Sequence, residues 1–106
     1  MSRLEKLQEF LKADPNDSFS RYGIALEYRS MKDFQQAIKI LEELRTMDPK
    51  YLPLYYQLAD CYRQAGDKTT AHKTYHEGIA VARSANDTHT LSELQAALEE
   101  MNDEEE

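Results

Sequence analysis

Apolar residues recur along this chain at the three-and-four spacing that puts them on one side of an α-helix. "SFSRYGIALEYRSM" gathers Tyr22, Ile24, Ala25 and Tyr28 on one side of a helix. "DFQQAIKILEELRTM" gathers Phe34, Ala37, Ile38, Leu41 and Leu44 on a stripe of the next. A second pair follows, with Tyr55, Leu58, Ala59 and Tyr62 on one helix and Ala71, Tyr75, Gly78, Ile79 and Ala82 on the other. Short polar turns, "MKD" and "AGD", divide the helices of each pair. In the second turn Gly66 suits a left-handed C-cap and Asp67 an N-cap. Two outer segments have the same character. "SRLEKLQEFLK" opens with Ser2 and Glu5 in capping-box spacing and carries Leu4, Leu7, Phe10 and Leu11. "TLSELQAALEEM" opens with Thr90 and Glu93 in that spacing and carries Leu91, Leu94, Leu98 and Met101. The pattern predicts an all-α chain of about six helices, the first and last acting as lids.

The two central pairs are copies of each other. Pro15 and Pro49 each follow an aspartate and lie 49 − 15 = 34 residues apart. The same shift carries Tyr22 to Tyr56, Ile24 to Leu58, Ala25 to Ala59, Tyr28 to Tyr62, Asp33 to Asp67 and Ala37 to Ala71. It also carries Leu7 to Leu41 and on to Tyr75. A fixed period of this length signals stacked helix–turn–helix units.

At this point the chain resembles the tetratricopeptide repeat family. "YYQLADCY" supplies Tyr55, Leu58, Ala59 and Tyr62 at the four places of that family's first-helix pattern. "RYGIALEY" supplies Ile24, Ala25 and Tyr28, with Arg21 where a large apolar residue belongs. The second-helix small residue is Ala37 and then Ala71, followed by Leu41 and then Tyr75. The closing proline is Pro49 in the first unit, and Arg83 stands in its place in the second, so that helix should run on towards Ser84 or Ala85. The resemblance implies an α-α superhelix of antiparallel helix hairpins. Residues 1–102 form one domain: a capping helix over 1–17, repeats over 18–51 and 52–85, and a capping helix over 88–102. An acidic tail occupies 103–106.

Composition narrows the function. The net charge is −7, which disfavours a phosphate backbone as partner. "EEMNDEEE" closes the chain with six carboxylates; without Asp103 to Glu106 the charge becomes −7 + 4 = −3. No apolar run has the length of a membrane span, and no signal-peptide core opens the chain. Cys61 is the single cysteine and reads as a small buried hydrophobe, so a cytoplasmic location is expected. His72 and His76 stand four apart, a spacing that can chelate a metal, but "HKTYH" lacks the further ligands of a site. No phosphate-binding loop, nucleophile elbow or Cys/His constellation is present. The chain reads as non-enzymatic, with neither metal nor cofactor.

The tyrosines divide by helical phase. Tyr55, Tyr62, Tyr28 and Tyr75 hold packing positions, and Tyr51 lies in the inter-repeat link. Tyr22 and Tyr56 stand beside the stripe, on the side that lines the concave groove in the family this chain resembles. Stacking would place them about 10–20 Å apart with another helix between them. Phe19, Leu26 and Arg29 share that side in the first unit; Pro53, Gln57, Asp60 and Arg63 share it in the second. The resemblance implies a protein-interaction module or adaptor that holds a peptide or helix segment of a partner protein there. Chaperone-binding members of the family hold a C-terminal carboxylate with a Lys/Asn clamp. The matching places here are Tyr22, Leu26 and Gln57, so that clamp is not reproduced. Arg29 and Arg63 either pair internally, Arg63 with Asp60, or await an acidic ligand; the expectation is that at least one meets a partner's carboxylates. The alternative reading is a self-assembling, homodimeric structural subunit.

Overall fold

The computed structural model describes residues 1–104. Six helices follow one another: α1 (Arg3–Ala13), α2 (Ser18–Ser30), α3 (Phe34–Met47), α4 (Pro53–Gln64), α5 (Lys68–Ser84) and α6 (Thr88–Glu104). No strand occurs among the described residues. Glu105 and Glu106, at the end of the expected acidic tail, lie outside them.

Three of the five connections are built by one device. Lys32, Gly66 and Asn86 each take a left-handed backbone, with φ of 62°, 89° and 57°. The next amide then donates back into the helix just ended: Asp33 to Tyr28, Asp67 to Tyr62 and Asp87 to Ala82, at 2.9, 2.9 and 3.0 Å. This is the Schellman closure. Each of these aspartates at once caps the following helix, its Oδ1 accepting the backbone N–H of Gln36, Thr70 or Thr90. Glycine was expected to serve this role at Gly66 alone. Lys32 adopts the same conformation at a steric cost of about 1–2 kcal/mol.

One cap and one boundary differ from the sequence reading. Thr90 was expected to cap the last helix, but Asp87 caps it and also accepts the Thr90 hydroxyl at 2.9 Å. The last helix also continues through Asp103 and Glu104, two residues assigned to the tail, where Glu104 reaches Arg63 of α4. At the other end, Ser2 and Glu5 close their capping box as expected.

Each helix packs against the helices before and after it, and α2 also touches α4 directly. The layers meet through small residues: Ala25, Ala37, Ala59 and Ala71 are all fully buried. Tyr55 and Tyr75 are buried completely, and Tyr55 donates its hydroxyl to the Pro49 carbonyl, tying the inter-repeat link to the core. Tyr28 and Tyr62 pack against the core and are only half-buried. Tyr62 donates to Glu42 Oε2 at 2.7 Å.

Glycines mark two close approaches of very different stiffness. A Cβ on Gly78 would sit 2.6 Å from the Tyr55 Cβ and 3.1 Å from Leu94 Cδ1. A Cβ on Gly23 would meet only the far end of Leu7, at 3.0 Å. Alanine gains about 1 kcal/mol over glycine inside a helix. At Gly78 that gain is outweighed, since the obstacle is a Cβ fixed to the backbone. Gly78→Ala is expected to lose about 1–2 kcal/mol in urea denaturation, and Gly23→Ala to stay within about 0.5 kcal/mol of the parent. Ala25→Leu and Ala59→Leu should each cost about 1–3 kcal/mol; a neutral result would displace both from the inter-helix contact.

Tyrosine burial also fixes an alkaline limit. Desolvation, together with the neighbouring Glu42 carboxylate, pushes the Tyr62 hydroxyl up to about 12. Burial raises Tyr22, Tyr51, Tyr55 and Tyr75 in the same direction. A tyrosine ionises near about 10 in the unfolded chain, so the unfolded state releases protons first. The stabilisation is therefore complete below pH about 10 and is lost as the pH climbs towards about 12. Circular-dichroism melts across that window should show a falling melting temperature, and a shallower fall for Tyr62→Phe.

Candidate partner-binding groove

The side of the stack formed by α2, α4 and the start of α6 is hollow. A cleft of about 380 Å³ is lined by Tyr22 from α2, by Leu52, Pro53, Tyr56 and Gln57 at the start of α4, and by Thr90, Glu93 and Leu94 from α6. Tyr22 and Tyr56 are thus walls of one cavity. The intervening helix that the sequence reading placed between them is absent from the gap, because α2 and α4 are in direct contact.

Both rings are braced from behind. Tyr22 packs on Tyr51, with centroids 5.5 Å apart and planes tilted by 58°. This contact gives Tyr51 of the inter-repeat link a packing role. Tyr56 meets the buried Tyr75 edge-on at 6.5 Å and remains 38% exposed. Such offset and edge-to-face arrangements hold aromatic rings in place. Burial pushes the Tyr22 hydroxyl up, an effect opposed by the Gln57 amide beside it and by Arg29. Gln57 Oε1 is buried and has no hydrogen-bond partner among the described residues.

Of the other residues assigned to the groove, Phe19 is 64% exposed and Leu26 half-buried, and neither lines the cleft. Asp60 is not open to a ligand. It is 7% exposed and accepts hydrogen bonds from Arg29 Nε, at 3.1 Å, and from Arg29 Nη2. The expected Arg63–Asp60 pair is therefore replaced by an Arg29–Asp60 pair between repeats. Arg63 turns to the last helix, donating to Glu104 through Nε at 3.2 Å and lying 3.7 Å from Glu100. Both arginines are engaged inside the molecule, the internal pairing that the sequence reading set beside an acidic ligand. On the opposite side of the stack Arg45 grips Glu77 of the next repeat with both Nε and Nη2, at 2.8–3.1 Å.

Thr90, Glu93 and Leu94 were not foreseen as part of this cavity. Their signal was in the sequence, in the apolar stripe of α6, but Thr90 and Glu93 read there as a cap rather than as a surface. Two other features take no part in the cleft. Burial pushes the Cys61 thiol up to about 11, partly offset by Arg29, so it is a poor nucleophile at neutral pH. The His72 and His76 rings lie 4.6 Å apart on α5, and no cluster of three or more candidate metal ligands occurs among the described residues. No helix there is long and apolar enough to cross a membrane.

Comparison with known proteins gives a uniform answer. Residues 28–98 match the family described as tetratricopeptide repeat. A tetratricopeptide repeat domain protein from Salinibacter ruber is 38% identical, with a TM-score of 0.78 over 83% of this chain and 89% of that one. A TPR repeat-containing protein of Pseudomonas aeruginosa is 24% identical over 92% of this chain and 93% of its own length. In fold alone, the chain is similar to the TPR2B domain of yeast Sti1 in its pHsp70 complex: TM-score 0.89 at 16% identity, over 95% of this chain and 81% of that one. Tetratricopeptide repeats are protein-interaction folds, and the family match runs from the end of α2 into α6. The chain belongs to the tetratricopeptide repeat family.

Proposed function

We propose that this protein is a non-catalytic interaction module, an adaptor that holds a segment of a partner protein in the cleft between α2, α4 and the start of α6. The observation that carries the reading is the pair of tyrosines, Tyr22 and Tyr56, braced from behind and lining one open cavity. A rigid aromatic surface of this kind gives a partner large contact area at small entropy cost. The similar yeast domain, in its pHsp70 complex, supports the use of this fold for holding a protein ligand. The residues at the carboxylate-clamp places here are Tyr22, Leu26 and Gln57, so the grip is on side chains rather than on a chain terminus. The acidic charge balance favours a protein over a nucleic acid as partner, and a single buried cysteine fits the reducing cytoplasm as its place of work.

The test is a double substitution. Peptides selected on the whole protein from a random display library should bind wild type at least about tenfold more tightly than the Tyr22→Ala/Tyr56→Ala variant, since aromatic anchors commonly contribute more than about 1 kcal/mol each. Equal affinities would remove the cleft as the site. A dimer that survives dilution in sedimentation would then favour the homodimeric structural subunit.

A further inference from the structure

The cleft and its continuation along α6 have one charged wall. Glu93, Glu100 and Glu104 stand seven and four residues apart on α6, spacings that keep them on a common face. Glu93 lines the cleft beside the two tyrosines, and Glu100 and Glu104 lie against Arg63. All three remain open to solvent, their side chains 55%, 71% and 45% accessible. The helix that carries them, Thr88–Glu104, contains no lysine or arginine. Its His89 reaches Glu93 at 2.8 Å and offsets that charge only when protonated.

The cations facing this wall are already engaged. Arg29 is held by Asp60, and Arg63 by Glu100 and Glu104. Two arginines against the four carboxylates of Asp60, Glu93, Glu100 and Glu104 leave 2 − 4 = −2 on this side with histidine neutral. Lys50, Lys68 and Lys73 line other depressions of the surface and do not reach it. An acidic ligand would therefore meet repulsion at the rim and no free arginine within.

Resting on the cleft reading above, we propose that the bound segment is basic and apolar: an aromatic or aliphatic side chain seated on Tyr22 and Tyr56, with lysines or arginines reaching Glu93 and Glu100. Two helical turns separate those carboxylates by about 10 Å. A segment in the polyproline II conformation, with three residues per turn and about 3.1 Å rise each, sets side chains three apart on one side about 9 Å from each other, so cationic residues three apart match the wall. A guanidinium so placed can also lie over the exposed Tyr56 ring. Exposed rim charges act chiefly on association rate and salt dependence, so affinity falls as ionic strength rises.

The experiment again uses peptides selected from a random display library on the whole protein, read for sequence and then titrated. Enrichment of aromatic residues together with lysine or arginine is expected. The best peptide should lose at least about tenfold in affinity on Glu93→Lys/Glu100→Lys, with a flatter salt dependence. Glu93→Gln/Glu100→Gln should shift binding the same way by less. Both pairs are exposed, and melting curves matching wild type establish that folding is intact. Acidic peptides that still depend on Tyr22 and Tyr56 would overturn the basic-ligand inference and leave the cleft reading standing. Basic peptides indifferent to both glutamate variants would do the same. Peptides indifferent to Tyr22→Ala/Tyr56→Ala, or a library that yields none, would overturn both.

Discussion

Every helix here carries an apolar stripe that it can cover only with its neighbours in the chain. The stack is close because the contact points are alanines, all fully buried: Ala25 and Ala37 in the first repeat, Ala59 and Ala71 in the second. One consequence follows from that closeness. The first helices of the two repeats touch along one side, which brings Tyr22 and Tyr56 to a shared cavity. The stripes of α1 and α6 are covered in the same way, by α2 and α5.

Apolar packing of this kind is tolerant of sliding, and the polar contacts between layers resist it. Arg29 reaches Asp60, Arg45 reaches Glu77, and Arg63 reaches Glu104, each joining a helix to the layer that follows. Partly exposed ion pairs contribute little net stability. Their effect lies in direction: a fork of donors meets a carboxylate in few geometries, so each pair specifies how one layer sits on the next. The same arginines are thereby paired within the molecule.

Much of this was legible in the sequence, for definite reasons. A period of 34 residues and the helical phase of Tyr55, Leu58 and Ala59 depend on local geometry alone, and they gave the helix pairs and the buried tyrosine Tyr55. What remained hidden depends on which neighbour a long side chain reaches. Arg29 and Arg63 share a phase, yet one bends to a buried aspartate of the next repeat and the other to a glutamate 41 residues away. The cap of α6 was misassigned because Thr90 and Glu93 imitate a capping box. The true cap, Asp87, follows Asp67 by only 20 residues, outside the repeat period. With Asp87 as the cap, Thr90 and Glu93 fall inside the helix and line the cleft.

The last described helix packs with one face and lines the cleft with another. Among the described helices α6 rests mainly on α5. Leu94 is buried on that support while the adjacent Glu93 looks into the cavity. A ligand in the proposed cleft would touch α6 through Thr90, Glu93 and Leu94 as well as α2 and α4. Its binding would then be linked to the ordering of this helix, so affinity and amide protection along α6 would rise together.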